Sequence, residues 1–288
     1  MNRKINFKSI TIILIVFFKL GVAQEINWFG KSTIYTTVLL QKKEKNVFIN
    51  HGTWILYSPD DNERSYVITC EHVLRNPEIY VVISADSELV KKLNSKNEKG
   101  ITFRNCFWEL DGQLLRLKIK LIKDSTFINY PQKEIDLGVF PLQLFTLTYD
   151  SRGTEKFTKI TFVSDKNFGN KNFLNIGEEI YFSGFPFGFG TNDILSPIVR
   201  SGTISWVSEN KDIFLLDAFS YSGNSGSPVF TKMSALSSER NKPYLVGMVT
   251  GHIVSPGNEN IGLATCVSVQ KIKELLVMAK ELRIGHPN

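Results

Sequence analysis

Gly223-Asn224-Ser225-Gly226-Ser227-Pro228 is the stretch from which the rest of the chain can be read. Two glycines flank a serine across a tight turn, so consecutive backbone N–H groups can point the same way while the hydroxyl stays exposed. A concavity of N–H donors can stabilise the negative charge that develops on a carbonyl oxygen during acyl transfer. Pro228 then opens an apolar strand with Val229 and Phe230, which sets where the turn ends. The same residue types are also ordinary turn formers. The stretch therefore needs partners elsewhere in the chain before it carries chemistry.

A serine hydroxyl is a poor nucleophile until a base takes its proton, and that base needs an orienting acid. His72 ends an apolar run in Val67-Ile68-Thr69-Cys70-Glu71-His72-Val73-Leu74, and Asp136 opens another in Asp136-Leu137-Gly138-Val139-Phe140. The other histidines compete poorly. His286 sits in the C-terminal tail, and His51 falls at an expected turn before Gly52. His252 follows the expected strand at 244–250, where it could touch a substrate, but it comes after the serine. Among the acids, Asp111-Gly112 reads as a hairpin turn and Asp124 ends a strand amid polar residues; Asp217, close to Ser225 in sequence, has a role that stays open.

Length, 288 residues, allows one large all-β domain or two small ones. Val-, Ile-, Thr-, Phe- and Tyr-rich runs recur at 32–41, 52–58, 65–70, 78–84, 101–110, 114–122, 135–142 and 156–163. They continue at 178–183, 198–207, 213–216, 228–230, 244–250 and 262–267. Short strands at hairpin spacing predict a sandwich or barrel architecture. Helices are few: a turn after His72, a short one over 87–93, and a terminal helix. In the last, Val269, Ile272, Leu275, Leu276, Ala279 and Leu282 share one face, with Ser268 as N-cap. Gly184 to Gly190 reads as a long, adaptable loop, and Lys42-Lys43-Glu44-Lys45 as a solvated one.

The first 24 residues read as a cleaved signal peptide: Arg3, Lys4 and Lys8, then the apolar run Ile10 to Phe18, then small Gly21 and Ala23. Export is expected, without stable membrane insertion, since the run is short and Lys19 interrupts it. The whole chain has 34 basic and 28 acidic residues, +6; removing Arg3, Lys4, Lys8 and Lys19 leaves 30 against 28, +2. That balance, with no basic stripe interleaved with aromatics, excludes a nucleic-acid partner. Cys70, Cys106 and Cys266 are spaced like no metal motif, so neither a metal nor another cofactor is expected. Cys70 and Cys266 lie in apolar runs and read as small buried hydrophobes, with one disulfide plus a free thiol as the other arrangement.

Five pieces in order resemble the bacterial branch of the chymotrypsin-like serine peptidases, the group containing HtrA-type proteases and glutamyl endopeptidases. They are Gly52 to Leu56, Ile68 to Val73, Asp136 to Val139, Gly184-Phe185-Pro186-Phe187-Gly188, and Gly223 to Phe230. The order His, Asp, Ser is the chymotrypsin one. The resemblance spans roughly residues 33 to 282. It implies an all-β peptidase domain over 25–288, built of two packed six-stranded antiparallel β-barrels, roughly 33–150 and 151–268, and an amphipathic C-terminal helix, 268–283. The implied activity is that of a serine endopeptidase acting on proteins or peptides. His72 would be general base and then acid, Asp136 its orienting group and Ser225 the nucleophile, with the N–H groups of Gly223 and Ser225 as oxyanion hole.

Several positions depart from these relatives. Asn224 stands where digestive enzymes have an Asp that pairs with a newly cut N-terminal ammonium, so activation by that route is not expected. Phe219, six residues before the serine, takes the place near the base of the P1 pocket, whose walls would be Val249, Thr250, Gly251 and the strand near Gly262, with His252 at the edge. Phe219 is no carboxylate, which disfavours Arg or Lys at P1. Val249 stands where glutamyl endopeptidases have a His, which leaves a small or apolar P1 residue as the expectation. The chain ends soon after the terminal helix, so no PDZ domain is expected. The competing reading is a catalytically inactive domain that binds peptides. An esterase reading lacks the strand–helix alternation of the α/β-hydrolases.

Overall fold

The computed structural model describes residues 37–45, 47–60, 65–84, 102–104, 107–111, 114–121, 127–141, 146–148, 162–188, 196–232 and 242–282. The expected signal segment, the helix over 87–93, Cys106, Asp124 and His286 lie outside these residues.

Short apolar runs, wholly buried in the third and ninth strands, make the first half a set of antiparallel strands. These are β1 (Thr37–Glu44), β2 (Val47–Tyr57), β3 (Tyr66–Thr69), β4 (Glu78–Ser84), β5 (Thr102–Arg104), β6 (Phe107–Asp111), β7 (Leu114–Lys120), β8 (Ile128–Asn129), β9 (Gly138–Pro141) and β10 (Thr146–Thr148). Eight form one sheet in the order β6-β7-β4-β1-β2-β3-β9-β8, while β5 pairs with β10. The second half holds β11 (Glu179–Gly184), β12 (Ile198–Val207), β13 (Ile213–Asp217), β14 (Pro228–Thr231), β15 (Leu245–Val254) and β16 (Asn260–Ser268). These close into a six-stranded barrel, β11-β12-β13-β16-β15-β14. Its interior is packed by Phe182, Phe214, Leu216, Val229, Val246 and Cys266. The closed barrel, the second antiparallel sheet and the terminal helix agree with the expected double-barrel fold. The β6–β7 hairpin, turning after Asp111 as expected, extends its sheet to eight strands, and no pair closes it among the described residues.

Two local expectations are corrected. Lys42 to Glu44 is strand, not loop, because the β1–β2 hairpin runs on past the core until Lys45 turns it with φ 46°. The exposed lysines there pair with Glu44 (2.6 Å) and Glu109 (3.1 Å), while Phe48 packs edge-on against Tyr80. His51 accordingly lies inside β2, half-buried, with Nε2 3.1 Å from the Val73 carbonyl.

A helical turn, α1 (Glu71–Leu74), follows β3, and the terminal helix α2 spans Val269–Glu281. Ser268 has the extended backbone of an N-cap, but its hydroxyl makes no capping bond. Burial holds α2 instead: Val269, Ile272, Leu275, Leu276 and Ala279 complete the core of the first half, against residues such as Leu121, Ile128 and Phe140. Leu245, Met248 and Val267 of the second half share that core, so the helix packs across both halves.

A polar cluster fixes that crossing. Lys271 Nζ reaches Asp212 (3.1 Å), Glu274 (2.9 Å) and the Tyr130 hydroxyl (3.2 Å), and Tyr130 donates to Glu274 at 2.5 Å. Lys271 and Asp212 are almost wholly buried, so removing the cation strands a carboxylate. Lys271→Met is expected to cost about 2 kcal/mol, read as a lower urea midpoint at unchanged slope. Burial alone would raise the Glu274 pKa, but bonds from Tyr130, Lys271 and Gln270 outweigh it and hold the carboxyl below its usual value. Asp136 is depressed in the same way, with bonds from His72 outweighing burial. A depressed folded pKa contributes stability that is full above the unfolded carboxylate range and lost as pH falls through the folded value. Stability should therefore hold down to about pH 5 and fall below about pH 4. Urea midpoints across pH should show a shallower acid limb for Glu274→Gln.

Candidate active site

The His72–Asp136 pair is set by two neighbouring strands. β3 pairs with β9, bringing Thr69 opposite Gly138, so α1 at the end of β3 lies over the residues that enter β9. A side chain on Gly138 would collide with Leu74. Asp136 then grips His72 twice: Oδ1 accepts from the His72 backbone N–H at 3.0 Å, and Oδ2 lies 2.5 Å from Nδ1. The carboxylate thereby dictates both the position of α1 and the tautomer of the ring, placing the proton on Nδ1 and leaving Nε2 as a base.

Ser225 comes from the turn between β13 and β14, held by the opposite half of the molecule. Thr53 N–H donates to the Ser225 carbonyl (2.7 Å), and the Thr53 hydroxyl donates to the Gly223 carbonyl (2.7 Å). The Thr53 carbonyl in turn accepts from the Thr69 hydroxyl at 2.7 Å. Gly226 N–H donates to Val249 O (2.8 Å), and Val249 N–H to Ser227 O (2.9 Å). Thr53 and Thr69 are the functional residues that sequence reasoning missed; their signal was only a place beside the two motifs. Gly52 packs against Val73 on one side and the Ser225 carbonyl on the other, which puts the serine turn beside α1.

The N–H groups of Gly223 and Ser225 donate to no acceptor among the described residues. Their directions are nonetheless fixed from behind. The Ser222 carbonyl accepts from Phe187 N–H (2.8 Å), and the Asn224 carbonyl from Ser227 N–H (2.9 Å). In a planar trans peptide the N–H points opposite its carbonyl, so anchoring each carbonyl turns the following N–H outward. Gly223 does this at φ 95°, and Gly226 continues the turn at φ 93°, values that favour glycine. Ser225 Oγ makes a long contact to the Thr250 carbonyl, 3.5 Å, and forms no hydrogen bond with His72.

The other expected site residues fall around this turn. Phe219 is half-exposed; its ring stacks on Tyr221 (centroids 6.1 Å apart) and covers Gly262, where a Cβ would lie 3.4 Å away. Gly262 has φ 81° and is tied across by Ala218 N–H (2.8 Å) and Asn260. Val249 meets the serine turn with its backbone only, and its side chain is buried in the barrel interior. Thr250 turns its hydroxyl to Thr265 (3.1 Å to O), and Gly251 pairs with Thr265. His252 is exposed and lies within β15, which runs four residues past its expected end. Asn224 is buried with neither amide atom bonded, as is the Ser227 hydroxyl.

Cys70 and Cys266 are free and buried, and burial pushes both thiols well up. Cys70 Sγ, the His72 ring and Asp136 offer donor atoms within 4.8 Å of one another, the one set among the described residues spaced to hold a metal ion. Cys70 lies against the Val249 carbonyl at 3.4 Å, closing the back of the site. No helix among the described residues is long and apolar enough to cross a membrane.

A closed β-barrel packed on a second antiparallel sheet, with a His–Asp pair on one half and a glycine-flanked serine turn on the other, is the design of a chymotrypsin-like serine protease. Residues 52–236 match the family model of the trypsin-like peptidase domain, and the chain belongs to that family. Similar solved structures include the HtrA-type protease AlgW with tripeptide and an alanine-substituted form of it, also with tripeptide. Each is 17% identical at a TM-score of 0.49, covering 90% of this chain and 63% of its own. The chain therefore spans less than two thirds of the length of those proteases. No curated protein matches it.

Proposed function

We propose that this serine protease is an exported endopeptidase that cleaves peptide bonds through an acyl-enzyme on Ser225. The observation that carries the reading is the doubly bonded His72–Asp136 pair beside a serine turn with two outward N–H groups. The Ser225 proton passes to His72 Nε2 as Oγ bonds to the substrate carbonyl carbon. The oxyanion is received by the N–H groups of Gly223 and Ser225. His72 returns the proton to the amine as the C–N bond breaks, and the same base then activates water to release the acid. Ser225 Oγ must leave its long contact with the Thr250 carbonyl to meet Nε2, and catalytic hydrogen bonds are often long before substrate binds. Phe219 over Gly262 favours a small or apolar P1 side chain, with Thr250 to His252 offering strand edge to the substrate. Export rests on the basic-then-apolar start of the chain.

One feature favours a second reading, a domain that only binds peptides: the Ser225 hydroxyl points at a carbonyl rather than at His72. Labelling separates the two. The mature protein should react with a fluorophosphonate probe, with the adduct mapped by mass spectrometry to Ser225, and should degrade casein; Ser225→Ala should do neither. A wild type that neither labels nor cleaves a broad peptide library would leave the peptide-binding reading.

A further inference from the structure

We infer that Arg200, Tyr221 and Phe187 form a positioning device for the Gly223 half of the oxyanion hole; this rests on the protease reading above. The Gly223 N–H is aimed by one bond, from Phe187 N–H to the Ser222 carbonyl. Phe187 makes that bond from a left-handed conformation, φ 50°, ψ 13°, which is strained for a residue with a side chain. Something must hold it there.

Packing and one hydrogen bond do so. The Phe187 ring packs on Tyr221 with centroids 4.9 Å apart, although it remains more than half exposed, and Asn50 Nδ2 reaches the Phe187 carbonyl at 3.4 Å. Tyr221 is itself held from three sides. Phe219 stacks on its ring, its carbonyl accepts from Asn224 N–H at 2.9 Å, and the Arg200 guanidinium lies 5.2 Å from its centroid. The same guanidinium lies 5.8 Å from the ring of Phe182, a residue buried in the barrel core. Arg200 is half-buried and makes no hydrogen bond or ion pair among the described residues. Its interactions are with the faces of the two rings, a geometry in which a cation is attracted to the π system. Arg200 thus braces Tyr221 against the rigid barrel, Tyr221 braces Phe187, and Phe187 N–H turns the Ser222–Gly223 peptide. None of the three side chains need touch the reacting atoms.

A misaimed donor weakens binding of the transition state more than binding of substrate. Arg200→Met, which keeps the stem and removes the cation, should lower kcat by about tenfold to a hundredfold with KM changed less than about threefold. Arg200→Lys should restore most of the loss, because an ammonium also sits favourably over the rings. A peptide aldehyde built on the best-cleaved library sequence should lose affinity for Arg200→Met in proportion to kcat/KM. The product peptide should bind as it does to wild type. Near-ultraviolet circular dichroism and the thermal midpoint would show that the variant is folded, and a crystal structure of it should show the Ser222–Gly223 peptide turned. Unchanged kcat, or a loss shared equally by aldehyde and product peptide, would overturn the inference while leaving the protease reading intact. A wild type that never labels would remove that reading, and the inference with it.

Discussion

Asp136→Asn is expected to lower kcat by about 10⁴ while leaving the fold and the position of His72 nearly unchanged. The reason lies in the division of labour between the two carboxylate oxygens. Oδ1 accepts from the His72 backbone N–H, and that donor will still demand an oxygen in the variant. The amide must therefore place its NH₂ where Oδ2 now lies, 2.5 Å from Nδ1. Two donors cannot face each other, so Nδ1 gives up its proton and Nε2 takes one. The ring then presents an N–H to Ser225 and cannot act as its base. Steady-state kinetics on a peptide substrate would measure this, with the unfolding midpoint as control. A fall of less than about tenfold would mean that another group activates Ser225. His252 would then be the first to test, since it is exposed on β15 two residues beyond the Thr250 carbonyl that Ser225 Oγ faces.

The second large effect concerns stability. Gly226→Ala is expected to destabilise the protein by about 4 kcal/mol, a large share of the stability of an ordinary domain. Gly226 has φ 93°, and a Cβ there would overlap the Thr53 carbonyl, with the Thr69 hydroxyl only 2.6 Å away. Neither can move freely. Thr53 holds the Ser225 and Gly223 carbonyls, and the Thr69 hydroxyl is bonded to Thr53 O. The substitution therefore pushes the serine turn away from the first half of the molecule. Gly177→Ala is the matched control: its φ is 90°, but nothing lies within 4 Å of the added carbon. Conformation alone should cost it about 1–2 kcal/mol. Urea midpoints for the pair would separate strain from collision, and near-equal losses would refute the clamp.

Both cases show why the serine turn behaves as a joint between two halves. Gly226 lies in the second half of the chain, yet its closest neighbours come from β2 and β3. The terminal helix α2 also joins the halves, burying its apolar face in a core that holds Ile128 and Phe140 of the first and Leu245 and Met248 of the second. Severing either contact should weaken the site without touching a catalytic atom.

Periodicity alone made much of this legible. Strands at 78–84 and 198–207 have the expected bounds, and the apolar face of α2 is the one buried. Strand patterns and helical stripes are local properties, written wherever side chains must alternate between core and water. The His72, Asp136 and Ser225 motifs were legible for a related reason, since each needs a fixed residue type within a few positions of a strand end. What escaped was decided by contacts between distant segments. Lys42 to Glu44 looks like a loop by charge and is strand because its partner strand continues beside it. Val249 looked like a pocket wall by position, but the pleat turns its side chain into the barrel. Nothing local in Arg200 distinguishes it from a surface cation, and the motif holding Phe187 does not say which peptide its N–H will hold.

The stretch Gly223 to Pro228 by itself determined that a serine could be presented on a turn with two N–H groups free, because glycine alone tolerates the backbone required there. Which way those N–H groups point was left to the tertiary structure. A peptide plane is aimed by what holds its carbonyl, and here those holders are Ser227 within the turn and Phe187 from a loop far away in sequence.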